Sequence, residues 1–269
     1  IPVFSYIPPS AWAWRKGRAK SCAALADEIV AIFPHELPPY EKAGANISFV
    51  GNPLVDTVHA EMGAEEARSH FGIRTEGVPI LLMPGSRREE IERLFPPMLG
   101  AAELLAAGDA ARRFFLPVAG GVDVAQIKKH LENSSVEVTL THDARYALMG
   151  IARAAIAASG TVIMEAAIMG LPAVVLYRMS ALSYLVGRLL VDVPRFSLPN
   201  ILVGETFETE LLQDAVQPAR IAEAMERIIA DGTERDYVTE HLARAVALLG
   251  EPHAARRVAE KILALGKHA

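Results

Sequence analysis

Short apolar runs recur along the chain at intervals that leave room for one helix between each pair. IPVFSYI, EIVAIFP, ISFVG, PILLMPGS, RRFFLPVA, VEVTLTH, AAIAASG and PAVVLYR are rich in β-branched or aromatic residues and end in turn residues. That is the pattern of buried strands. Between them, RAKSCAALA, EEIERLFPPMLGAAELLAAG, VAQIKKHLENS, ARYALMGIA and GTVIMEAAIMG read as helices. After Gln217 the pattern turns wholly helical, with PARIAEAMERIIADG, RDYVTEHLARAVALLG and PHAARRVAEKILALGK spacing apolar positions by three and four. Strands that are apolar throughout and alternate with helices predict parallel sheets covered on both faces, an α/β class.

The rhythm is interrupted at GNPLVDTVHAEMGAEEARSHFGI, where Gly51 and Pro53 punctuate the chain before the strand that begins at Pro79. Residues 1–56 are therefore expected to be the last units of one α/β domain. Residues 57–245 form a second, and 246–269 a C-terminal helix that packs back on the first. The start inside an apparent strand, with no Met and no signal-peptide layout, suggests the later part of a longer protein.

Composition narrows the classes. The formal net charge of −5 disfavours a nucleic-acid-coating protein, which needs a basic surface. The single cysteine, Cys22, excludes an intramolecular disulfide and suits a reducing compartment. No apolar run is long enough for a membrane span. One local feature departs from the average: both tryptophans, Trp12 and Trp14, precede an unbalanced basic run of Arg15, Lys16, Arg18 and Lys20.

Two strand–helix turns carry candidate chemistry. In PILLMPGSRREEI a strand ends at Met83 and a helix begins near Arg88. Helix N-terminal amides there favour phosphate; Gly85 would permit close approach, Ser86 offers a hydroxyl and Arg87 a forked donor. Alternatively Ser86 is only a cap, and Arg87 pairs with Glu90 or Glu92. In AASGTVIMEAA the turn Ser159-Gly160-Thr161 opens a second helix, with Glu165 one turn in. Glu165 could accept from the two hydroxyls of a ribose, or simply complement the helix dipole. Asn200 and Gln213 flank a loop-like segment and could supply amide contacts, although Asn after Pro also suits a turn. His35, His142 and Arg145 are weaker candidates. There is no His or Cys cluster, acidic metal-binding pair, P-loop or GxGxxG, so neither metal nor cofactor is expected. Paired phosphate-suited turns without a metal motif point to a diphosphate leaving group stabilised by Arg and helix dipoles.

With these residues in place, the sequence resembles the lipid-A-disaccharide synthase family, inverting glycosyltransferases of the GT-B fold. YIPPSAWAWRKGR resembles the family's Tyr-x-x-Pro-Ser-x-Trp-Ala-Trp-Arg signature, and GNPLVD its Gly-His-Pro-Leu-x-Asp hinge. PGSRREEI, ASGTVIMEAA, PAVVLYRMS, SLPNIL and ELLQD follow in family order. Asn52 stands where the family usually has His, so no acid–base role is given to it. Arg153 replaces a usually acidic residue and is read as a surface change.

The resemblance implies two Rossmann-like domains, the second binding a UDP-sugar. It implies transfer of 2,3-diacylglucosamine from UDP to 2,3-diacylglucosamine 1-phosphate. Gly85, Ser86, Arg87, Ser159, Gly160, Thr161, Glu165, Asn200 and Gln213 would bind nucleotide; Ser10, Trp12, Trp14 and Arg15 would line the acceptor cleft. It also implies an upstream segment carrying the catalytic base, so that the 269-residue chain alone is expected to bind nucleotide without turnover. Another UDP-N-acetylglucosamine transferase or a 2-epimerase of the same fold is the alternative. Lipid substrates imply a cytoplasmic protein peripheral on the inner membrane, with a homodimer admitted. SALSYLVGRLLVDVPRF, with Arg188 and Arg195, would suit an anionic interface, or its apolar face is ordinary core.

Overall fold

The computed structural model describes residues 1–11, 17–180 and 194–267. Trp12, Trp14 and Arg15, and most of the SALSYLVGRLLVDVPRF segment, lie outside the described residues.

Two parallel sheets organise the chain. The first contains β1 (Phe4–Tyr6), β2 (Glu28–Ala31) and β3 (Ile47–Phe49), in that order, with α1 (Gly17–Leu25) before β2. A short helical turn at Pro34–Glu36 and α2 (Leu37–Glu41) connect β2 to β3. α3 (Leu54–Thr57) and α4 (Ala64–His70) lead to the second sheet.

There, β4 (Val78–Met83), α5 (Arg88–Gly108), β5 (Arg112–Pro117), α6 (Val124–Leu131) and β6 (Val138–Thr141) alternate. α7 (Arg145–Ile151), β7 (Ala154–Ala158), α8 (Thr161–Ile168), β8 (Ala173–Tyr177), α9 (Leu198–Val203) and β9 (Glu210–Leu212) follow. The strand order is β6-β5-β4-β7-β8-β9, all parallel. Counted from β4 this is the doubly wound order 3-2-1-4-5-6, whose direction reverses between β4 and β7. Three helices complete the described chain: α10 (Pro218–Ile229), α11 (Thr233–Ala247) and α12 (Ala254–Lys267).

The alternation of side chains along β4 explains its unbroken apolar run. Ile80 and Leu82 join a core with Ile91, Leu94, Phe95 and Met98 of α5 and Ile221 and Met225 of α10. Leu81 and Met83 face the other way, toward Leu148 and Met149 of α7 and Ile163 of α8. A strand buried on both faces has no position for a polar residue.

The first sheet has a much smaller core, built on Ala11, Ala19, Ile29 and Tyr40. It is tied to the rest of the chain at several points. Phe33, just past β2, packs into the large core. Asn52 is fully buried; its N–H donates to Leu249 O at 2.8 Å, its Nδ2 to Ile32 O at 2.9 Å, and its Oδ1 accepts from Leu54 N at 2.9 Å. The residue therefore works as a structural joint.

α12 returns to this sheet, with Arg257 Nε donating to Val50 O at 2.7 Å and Lys261 Nζ meeting Glu28 Oε1 at 2.7 Å. Gly51 is required at the crossing. Its φ is +106°, and a Cβ there would lie 3.0 Å from Glu251 O.

Arg153, expected as a surface change, is held in place at a helix end. Its Nε donates to Ile229 O at 2.6 Å and its Nη2 to Asp231 Oδ1 at 2.5 Å, closing the C-terminal end of α10. Among the described residues, no helix is long and apolar enough to cross a membrane.

Candidate functional site

The reversal of strand order leaves a crevice at the carboxyl ends of β4 and β7, the position where doubly wound sheets bind ligands. A cavity of about 490 Å³ lies there, lined by Pro84, Gly85, Ser86, Arg87 and Glu90 from one turn and Ser159, Gly160, Thr161 and Glu165 from the other. Pro117, Val118 and Arg145 complete its wall. Two turns separated by more than 70 residues are thus brought together, with the N-termini of α5 and α8 facing one space.

In the first turn, Arg87 is the residue that caps α5, and its partner is Glu90. Arg87 N donates to Glu90 Oε2 at 3.3 Å, and Arg87 Nη1 to Glu90 Oε1 at 2.6 Å. Ser86 is exposed and is not the cap. Gly85 has φ +101°, and a Cβ on it would come within 2.5 Å of Glu90 Oε2. The space that glycine opens is therefore filled by Glu90, a residue the sequence offered only as a counter-ion.

In the second turn, Ser159 Oγ donates to Phe196 O at 3.0 Å, while Gly160 and Thr161 are exposed at the mouth. Glu165 keeps only 12% of its side chain exposed, and its Oε2 lies 3.2 Å from Arg145 Nη2. That distance makes an ion pair, yet the alignment makes no hydrogen bond, so Oε2 is a buried acceptor without a donor. Arg145 also donates to Tyr146 Oη at 2.5 Å and lies over the Tyr146 ring. Burial pulls its pKa down, but the Tyr146 hydrogen bond and the Glu165 and Glu61 charges outweigh it and raise the pKa overall. The carboxylate of Glu61 accepts from Tyr146 N and Ala147 N, fixing the start of α7. Spacing along the chain gave no sign of the Arg145–Glu165 pair, because it crosses β7. His142 is exposed beside a smaller cavity of about 240 Å³ that shares Arg145 and Pro117 with the first.

The two amides expected to contact nucleotide make hydrogen bonds within the protein. Asn200 is fully buried. Its Nδ2 donates to Glu208 O and Glu210 Oε1, and its Oδ1 accepts from Phe207 N and Glu208 N. This exhausts the capacity of the side chain. Gln213 Oε1 accepts from Met179 N at 2.8 Å and its Nε2 donates to Met179 O at 3.2 Å, joining the ends of β8 and β9. Both side chains shape backbone. Neither Asn200 nor Gln213 lines the cavity.

Around Asn200, Glu210 accepts from Phe196 N and Ser197 N, and Ser197 Oγ donates to Glu208 Oε2 at 2.9 Å. Burial raises the Glu208 pKa to about 8, against the Ser197 hydrogen bond.

On the first sheet, Ser10 is exposed in the loop after β1. Tyr40 Oη donates to Pro9 O at 2.6 Å and Ile7 N to Val30 O at 3.0 Å, pinning that loop to the sheet. His35 stacks on Phe33, with ring centroids 5.4 Å apart, and burial lowers its pKa to about 4. It borders a cavity of about 420 Å³ with Ala11, Lys20 and Lys42.

Comparison with known proteins agrees with this architecture. The structure is similar to that of UDP-GlcNAc 2-epimerase from Neisseria meningitidis, solved bound to UDP-GlcNAc, with TM-score 0.67 and 16% identity over 98% of this chain and 70% of that one. S. aureus MnaA, solved with UDP, gives TM-score 0.67 at 14% identity over 97% and 68% of the two chains. The fold is accordingly α/β of the GT-B type.

In sequence, the chain is 41% identical to a lipid-A-disaccharide synthase of Syntrophus aciditrophicus, over 99% of this chain and 70% of that protein. It is also 41% identical to one of Geobacter metallireducens, over the same shares. The family profile described as lipid-A-disaccharide synthetase matches residues 1–264, and the chain belongs to the lipid-A-disaccharide synthase family.

Proposed function

We propose that the chain forms the donor side of a glycosyltransferase that moves 2,3-diacylglucosamine from its UDP conjugate to 2,3-diacylglucosamine 1-phosphate, giving lipid A disaccharide 1-phosphate and UDP. The observation that carries this reading is the cavity between the β4–α5 and β7–α8 turns in a member of this family.

The sugar–oxygen bond breaks as the acceptor's 6-hydroxyl attacks the anomeric carbon, and negative charge gathers on the departing diphosphate. The N-terminus of α5, the hydroxyls of Ser86 and Thr161, and the Arg87 guanidinium face that charge. Donors held at those positions stabilise such a charge. Glu165, whose Oε2 has no hydrogen-bond donor, is suited to accept from ribose hydroxyls. Ser10, Trp12, Trp14 and Arg15 follow β1 in the sequence and would serve the lipid phosphate acceptor. Lipid substrates would bring the protein to the inner face of the inner membrane as a peripheral protein.

Calorimetry with UDP tests the donor site. Arg87→Ala should weaken UDP about ten- to hundred-fold, the worth of a charge-assisted hydrogen bond. The reaction is tested with radiolabelled acceptor when these residues are carried in a polypeptide of the relatives' length. Labelled disaccharide is expected; UDP binding without disaccharide would overturn the assignment. The fold similarity to 2-epimerases favours one other reading, epimerisation of a UDP-amino sugar, which proton NMR of the nucleotide sugar would reveal as inversion at C2.

A further inference from the structure

Glu90 occupies the part of the cavity that the proposed function gives to a phosphate. Its carboxylate takes both the backbone N–H of Arg87, at 3.3 Å, and the guanidinium, at 2.6 Å. It is also packed down onto Gly85, where even a methyl group would come within 2.5 Å of Oε2. The Arg87 side chain is 82% exposed and that of Glu90 only 25%, so the carboxylate sits deeper in the turn than the cation it holds. Arg87, Gly85 and the start of α5 therefore already face one negative charge.

We propose that Glu90 is an internal anion that competes with the substrate's diphosphate for the β4–α5 turn, and thereby sets the affinity of the site for anionic nucleotides. This rests on reading the cavity as a nucleoside diphosphate site. A phosphate brought to the turn meets a carboxylate of like charge. Either Glu90 turns away, giving up its bonds to Arg87, or it stays and repels the ligand. Both routes subtract from binding in proportion to the ligand's charge.

Glu165 does not act this way. It lies a turn inside α8, and its partner Arg145 keeps a second contact to Tyr146, so a neutral ribose hydroxyl can approach it without separating charges. Glu90 is thus a specificity-determining residue, one that penalises loose anions and yields only to a ligand with enough further contacts to displace it.

The test is Glu90→Gln, which removes the charge and keeps a side-chain oxygen able to accept from Arg87 N. Titration calorimetry would compare wild type and variant with UDP, UMP and uridine at low ionic strength. UDP should bind the variant about three- to ten-fold more tightly, as expected for removing one partly screened charge beside a phosphate. Uridine should bind both alike, UMP should fall between, and added salt should shrink the UDP difference. Equal or weaker UDP binding by the variant, with the wild type binding normally, would overturn the proposal and make Glu90 a residue that presents Arg87 to the ligand. Failure of UDP to bind either protein would instead refute the nucleotide site itself, and this inference with it.

Discussion

At the scale of single residues, the structure separates polar groups that face the cavity from those that hold the backbone. Glu208 belongs to the second kind and makes a pH-dependent contribution. It is 1% exposed, one oxygen has no hydrogen-bond partner, and burial raises its pKa from 4.5 to about 8. Between those values the folded chain retains a proton that the unfolded chain has released. Stability from the neutral carboxyl is therefore complete below 4.5 and is lost as pH rises through about 8. Glu208→Gln stays neutral throughout and can still accept from Ser197. In thermal unfolding from about pH 5 to pH 9, the wild type should lose on the order of a few kcal/mol relative to the variant. Parallel melting curves would show that Glu208 is not the buried acid responsible.

At the scale of elements, what the sequence reveals depends on whether an element's cause is local. β4, β7 and β8 are legible because burial on both faces leaves a continuous apolar run. β9 is not, since Glu210-Leu211-Leu212 is short and begins with a carboxylate whose partners, Phe196 N and Ser197 N, are distant in sequence. The phosphate-suited turns at Gly85 and Ser159 were equally readable, each being a strand end followed directly by a helix start. The hydrogen-bond partners of Asn200 were not, because Phe207, Glu208 and Glu210 lie seven to ten residues on and nothing in their spacing marks them as partners.

The N-terminus of α12 is another non-local case. It is capped from α3 by Asp56, whose carboxylate accepts from His253 N at 2.5 Å and Ala254 N at 3.1 Å. Asp56→Ala should cost about 1 kcal/mol, the usual worth of a cap, and Asp56→Asn much less. Urea unfolding would measure the cost. Faster amide exchange confined to the first turn of α12 would identify the cap as its source.

At the scale of the molecule, the two sheets are tied together through a joint. Among the described residues, the first sheet packs around Ala11, Ala19, Ile29 and Tyr40. It is linked to the rest of the chain through Phe33, Asn52, the Lys261–Glu28 pair and Arg257. Arg257 fans its guanidinium across the carbonyls of Val50, Glu251 and Pro252. Arg257→Ala should therefore weaken the first sheet more than the second, by about 2 kcal/mol for partly buried charge-assisted bonds.

Cys22 supplies a local probe. It is the only cysteine, lies half-buried on α1, and packs against the small core. If the first sheet opens independently of the second, thiol labelling of Cys22 in Arg257→Ala should accelerate about tenfold or more, while the main thermal transition moves little. If labelling and the main transition shift together, the two sheets unfold as one unit. The joint would then be part of a single cooperative core.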